Sequence, residues 1–137
     1  MRIWDTNLLK ARSINRHGSS GATFSPILHD PMGASLARFR LEPDGLLGVH
    51  EAAQHQLFLV VDGDGFVASG DDGPVEVVQG RMIFWARGEF HGLKAGPQGL
   101  VGYVLEGFDV AQDLMLGLWA TASSTDDEPE PPADPGN

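Results

Sequence analysis

From residue 35 to residue 106, short apolar runs alternate with clusters of glycine, aspartate and proline at intervals of about ten residues, and this rhythm constrains the fold more than any single motif. Runs of that length suit strands and are too short for helices. Ala37, Phe39 and Leu41 alternate with Arg38 and Arg40, the period of two of a half-buried strand, before the turn signal Pro43-Asp44-Gly45. The run from Gln56 to Val61 is apolar at nearly every position, as expected of a strand covered on both faces. Asp62-Gly63-Asp64-Gly65 then leads into Phe66-Val67-Ala68-Ser69, which predicts a β-hairpin. Further strands are expected after the cluster from Gly70 to Pro74, from Met82 to Trp85 and from Leu100 to Glu106. The expected fold is all-β, a closed or folded-over barrel with little helix.

The flanks differ from this middle. Residues 1–34 read as an N-terminal arm with strands, ahead of a barrel core over 35–107. Within the arm, the serine- and glycine-rich stretch around Ser13 to Gly21 looks like a loop, and its His17 is read as a surface residue. After Gly107, Val110, Leu114 and Leu118 fall at helical spacing with Met115 and Trp119 beside them, predicting a short C-terminal helix or packing segment over 108–120. The stretch from Thr121 to Asn137 holds proline, acids and small polar residues, the composition of a disordered tail.

Charge and missing residue types exclude several functions. The formal charge of −10 disfavours phosphate backbones and anionic lipid surfaces, so neither nucleic acid nor membrane is an expected partner. Asp126, Asp127, Glu128, Glu130 and Asp134 supply half of that charge from the tail, which leaves the body only mildly acidic. Without cysteine there is no disulfide, thiolate metal site or thiol nucleophile, so any metal must take nitrogen or oxygen ligands. The N-terminal residues contain no apolar run of signal-peptide length, which makes a cytoplasmic protein the expectation.

The residues that carry chemistry lie in two clusters. Gly45, His50, Gln56 and Gly63 form the first, and Gly80, Gly88 and His91 the second. In this spacing the chain resembles the cupin superfamily over roughly residues 35–106, and QLFLVVDGDGFV, FWARGEFHG and LVGYVLEG look like a group of small bacterial cupins of unassigned activity. The resemblance implies a double-stranded β-helix, a jelly-roll-like barrel, with a metal at its mouth on three histidines and one glutamate. His50 falls on the first histidine, Gln56 on the glutamate and His91 on the last histidine. Ala52 stands where another histidine belongs, Ala86 and Ala95 replace the proline and asparagine of the second motif, and Gly45 is one position too close to His50.

Independently of the family, two imidazoles and an amide oxygen suit a borderline divalent ion such as zinc, nickel, iron or manganese, so His50, Gln56 and His91 are the expected ligands. Gln56 brings no negative charge to such a site, which weakens it. Two neighbours are candidate proton-transfer groups: His55, if a bulge turns it inward, and Glu89, beside His91. Arg38 and Arg40 would suit a substrate carboxylate but are expected on a solvated strand face. The leading functional expectation is a small organic molecule in the barrel mouth with a divalent metal, as in a metal-dependent isomerase, decarboxylase or dioxygenase. The alternative, favoured by Ala52, is a metal-free binding or sensor module, and the acidic tail leaves room for an interaction protein. A homodimer is expected from the resemblance.

Overall fold

A computed structural model of the chain describes residues 1–31, 33–69 and 73–108. A single 3-10 turn at Thr6–Leu8 begins where the Asp5 carboxylate accepts the Asn7 N–H at 2.9 Å. Seven strands follow: β1 (Arg12–Ser13), β2 (Ser20–His29), β3 (Ser35–Glu51), β4 (Gln56–Ser69), β5 (Pro74–Val78), β6 (Met82–Trp85) and β7 (Phe90–Glu106). No α-helix occurs among the described residues, and apart from Phe108 the segments 108–120 and 121–137, expected as a helix and a disordered tail, lie outside them.

Every pairing is antiparallel, in the order β1-β2-β3-β7-β4-β5, with β6 sharing the edge of β4 that β5 occupies. The all-β expectation holds, yet two predicted reversals are something else. β3 runs straight through Pro43-Asp44-Gly45, where its pairing with β7 slips between Leu41 and Leu46. Likewise β4 continues through Asp62–Gly65 in place of the predicted hairpin, slipping against β7 between Val60 and Asp62 and again between Gly63 and Gly65. Such irregularities bend a strand sharply without ending it, and bent strands are what a barrel needs to close. β7 also begins earlier than the sequence predicts, at Phe90, because Lys94 to Leu100 bends with its partners.

Alternation places Phe39 and Leu41 of β3, Phe58 and Val60 of β4, and Leu100 of β7 inside the barrel, each at most 5 % exposed. Leu59, between the two buried residues of β4, is 40 % exposed, so that strand is covered on one face where the apolar run predicted two. Phe58 anchors the interior, edge-on to Phe39 with ring centroids 5.6 Å apart and stacked against Trp85 at 6.2 Å. Gly102, across from Phe39 on one side and Val60 on the other, makes room for it: a Cβ there would strike the Phe58 ring. Burial of each large side chain contributes about 1.5–3 kcal/mol. Together they hold the strands that carry the site.

Candidate functional site

Cross-strand register brings the two histidines together. His50 of β3 stands directly opposite His91 of β7, and their ring centroids are 4.5 Å apart with the planes at 53°. β6 adds Trp85, which stacks on the His91 ring at 4.3 Å and 22°. Gln56 of β4 lies opposite Trp85 on one side and Glu106 on the other, and its Nε2 donates to Glu106 Oε2 at 3.1 Å. Ser35 Oγ donates to the other oxygen of that carboxylate at 3.4 Å.

Electrostatics separate the two imidazoles. His91 is 2 % exposed and its Nδ1, shielded from solvent, has no hydrogen-bond partner among the described residues. Burial chiefly, and the neighbouring His50 secondarily, push its pKa down to about 4, against the Glu89 carbonyl, which favours the charged form. His91 is therefore neutral at pH 7. His50 is half-buried, and its Nδ1 donates to the Gly48 carbonyl at 2.8 Å, which sets the tautomer and leaves the Nε2 lone pair free.

These groups open into a cavity of about 740 Å³. His91, Trp85 and Phe58 make its floor, Phe24, Phe39 and Val104 part of its wall, and Arg12, Arg16, His17 and Glu51 its rim. The expected metal ligands His50, Gln56 and His91 all line it, whereas the proton-transfer candidates do not. His55 turns away, its Nδ1 accepting the Arg87 N–H at 3.0 Å and its ring lying 5.9 Å from Phe84, because no bulge interrupts the alternation that points Gln56 inward. Glu89 is exposed, and its Oε2 accepts the Ala86 N–H at 2.8 Å, closing the turn before β7.

Several cavity residues escape the sequence reading. His17 is exposed as expected, and it also stacks on His50 at 4.7 Å and 13° at the cavity's edge. Its backbone lies in the left-handed region with φ 59°, followed by Gly18 at 70°, and this folds the loop back onto β3. Ser19 Oγ accepts the Gly48 N–H at 3.0 Å, and a Cβ at position 48 would collide with the His17 carbonyl, so only glycine admits the loop there. No sequence signal marks His17, while Glu106 ends a strand recognisable from its apolar residues. Arg38 and Arg40 lie outside the cavity as expected, Arg38 donating to Asn7 Oδ1 at 3.3 Å and Arg40 pairing with Glu42 at 3.7 Å.

The resemblance implies a metal on three histidines and a carboxylate, and the residues present do not fit that centre. Among the described residues no three His, Asp or Glu side chains gather into a metal-binding group. Ala52 is packed into the core at 1 % exposure, and Gln56, whose Nε2 donates to Glu106, offers only a neutral amide oxygen in place of a carboxylate. His17 does not stand in for the missing histidine, since the lone pairs of two nearly parallel imidazoles lie in separate planes and cannot meet on one ion. What remains is an imidazole pair.

An antiparallel barrel that encloses a cavity lined by aromatic rings and a few polar groups defines the class by its fold. Solved structures narrow it. The polyketide cyclase RemF from Streptomyces resistomycificus is 25% identical, with TM-score 0.70 over 80% of each chain. An RmlC-like cupin from Shewanella frigidimarina superposes at TM-score 0.65 with 15% identity, over 80% of this chain and 92% of that one. A predicted oxalate decarboxylase from Thermotoga maritima gives 0.69 with 18% identity, over 79% and 100%. No family model and no curated protein sequence matches the chain. The chain therefore has the fold of solved cupin domains, an all-β antiparallel barrel.

Proposed function

We propose that the barrel mouth binds a small organic molecule with an apolar, ring-bearing body, and that His50, backed by His91, meets it as a hydrogen-bonding group in place of a metal centre. The observation that carries this reading is the His50–His91 imidazole pair lining a cavity whose walls are largely apolar, with His50 Nδ1 held by the Gly48 carbonyl so that Nε2 is the atom left for a ligand. A ligand hydroxyl that donates to that nitrogen gains both affinity and orientation. His91, packed between His50 and Trp85, holds the pair in place. The likeness to a polyketide cyclase supports a ring-bearing ligand. Turnover of that ligand, by isomerisation, decarboxylation or oxygenation, has no dedicated proton-transfer group in His55 or Glu89.

Calorimetric titration of the full chain with 2-naphthol tests the reading. Binding that weakens about tenfold in His50→Leu is expected, the loss of one well-placed hydrogen bond. Absence of binding by 2-naphthol and by a panel of one- to three-ring phenols and ketones would overturn it. Elemental analysis of untagged protein tests the second half. Near-stoichiometric zinc, nickel, iron or manganese that disappears in both His50→Ala and His91→Ala would restore the metal site expected from the sequence.

A further inference from the structure

Two arginines stand at the rim of the cavity without an ion pair among the described residues. Arg12 of β1 lies directly opposite Phe24 of β2, and Phe24 directly opposite Phe39 of β3. Residues facing each other across an antiparallel pair share a face, so Arg12 belongs to the row whose far end is the buried Phe39. Arg16 reaches the same rim from the loop between β1 and β2. That loop is anchored: the Arg16 carbonyl accepts the Ser19 N–H at 3.0 Å, and Ile14 N–H donates to Ala22 at 2.9 Å.

The chain has 19 acidic residues against 9 basic ones, so a carboxylate partner for any surface guanidinium is easily supplied. Arg40 has one in Glu42. No carboxylate is within ion-pair distance of Arg12 or Arg16 among the described residues: the rim's Glu51 pairs with neither, and Glu106 is already bound by Gln56 and Ser35. The cavity therefore changes character along its depth, from a rim with two cations and one carboxylate, past aromatic walls, to neutral imidazole at the floor.

Resting on the small-molecule reading above, we propose that the ligand is an organic acid: a carboxylate gripped at the rim by Arg12 and Arg16, with an apolar body running inward along Phe24 and Phe39 toward Trp85. A guanidinium presents two parallel N–H donors that match the two oxygens of a carboxylate, and proximity to apolar walls strengthens the pairing. Uncharged analogues of the same shape keep the wall contacts and lose the grip.

Matched pairs of probes test this on the full chain by calorimetry: 2-naphthoate against 2-naphthamide, and decanoate against decanamide. The acid of at least one pair is expected to bind about tenfold or more tightly than its amide, with a preference that shrinks as salt rises. In Arg12→Gln/Arg16→Gln the acid should fall to the level of its amide. In Arg38→Gln/Arg40→Gln, whose arginines lie outside the cavity, the preference should persist. Equal binding of acid and amide, or a preference that survives loss of Arg12 and Arg16, overturns the organic-acid proposal and leaves the cavity reading intact. No binding by any probe, 2-naphthol included, overturns both.

Discussion

The floor of the cavity and its rim sit within one barrel but are made by different means. His91, Trp85 and Phe58 come from three strands locked by register, lie at most 3 % exposed, and stack on one another. Arg12, Arg16 and His17 come from a two-residue strand and a loop, are exposed, and meet the barrel through the short β1–β2 pairing, the Ile14–Ala22 and Gly48–Ser19 hydrogen bonds and the His17–His50 stack. In the first region geometry is over-determined by packing. In the second it depends on a few local contacts, so the rim is free to vary in ligand preference while the floor keeps its shape.

The largest effect expected from breaking that contrast is at the floor. Phe58→Ala removes the ring that contacts both Phe39 and Trp85, in a site closed on the other side by Gly102. A loss of about 4 kcal/mol in urea unfolding is expected, since a cavity of that size in a packed barrel collapses poorly. A loss below about 1 kcal/mol would show that the floor is not rigid.

His91 gives the next effect and can be read without a mutation. Its pKa is about 4 in the folded chain against 6.5 for a free imidazole, so the unfolded chain binds a proton more readily. Above pH 6.5 both states are neutral and the group costs nothing. As pH falls from 6.5 to 4 the unfolded state is increasingly favoured, approaching about 3 kcal/mol in total, and well below 4 the penalty is constant. Unfolding measured at stepwise pH should show this slope, and His91→Gln should remove it. An unchanged slope in the variant would assign it to other groups.

The contrast also explains what the sequence disclosed. His50, Gln56 and His91 were legible because they lie on strands whose spacing is fixed by pleat and turn, and all three line the cavity. The glycine and aspartate clusters were legible as punctuation but not in kind. At Pro43–Gly45 and Asp62–Gly65 they bend a strand instead of reversing it, a difference set by whether the partner β7 bends too. His55 and Glu89 were read toward the site from adjacency in sequence, but strict alternation puts neighbours on opposite faces. Arg12, Arg16 and His17 left no trace because a loop that folds back onto a sheet has no period to read.

Gly48→Ala should have the smallest effect on global stability and the most selective one on the rim. The added methyl meets the His17 carbonyl, a backbone atom that no rotamer change can move, so the loop must lift. Lifting it gives up the Gly48–Ser19 hydrogen bond and the His17–His50 stack, both near the surface, for a global loss of about 1 kcal/mol. Amide exchange should accelerate at His17 to Ser19 and at residue 48 while the floor strands around Phe58 and Leu100 keep their protection. The same variant should lose the preference for an acid over its amide, because Arg16 travels with the loop, and should still bind 2-naphthol. Ser19→Ala, which deletes the hydrogen bond without the clash, should loosen the loop less. If the loop in Gly48→Ala stays as protected as in the parent chain, the rim is held by contacts other than these and is as rigid as the floor.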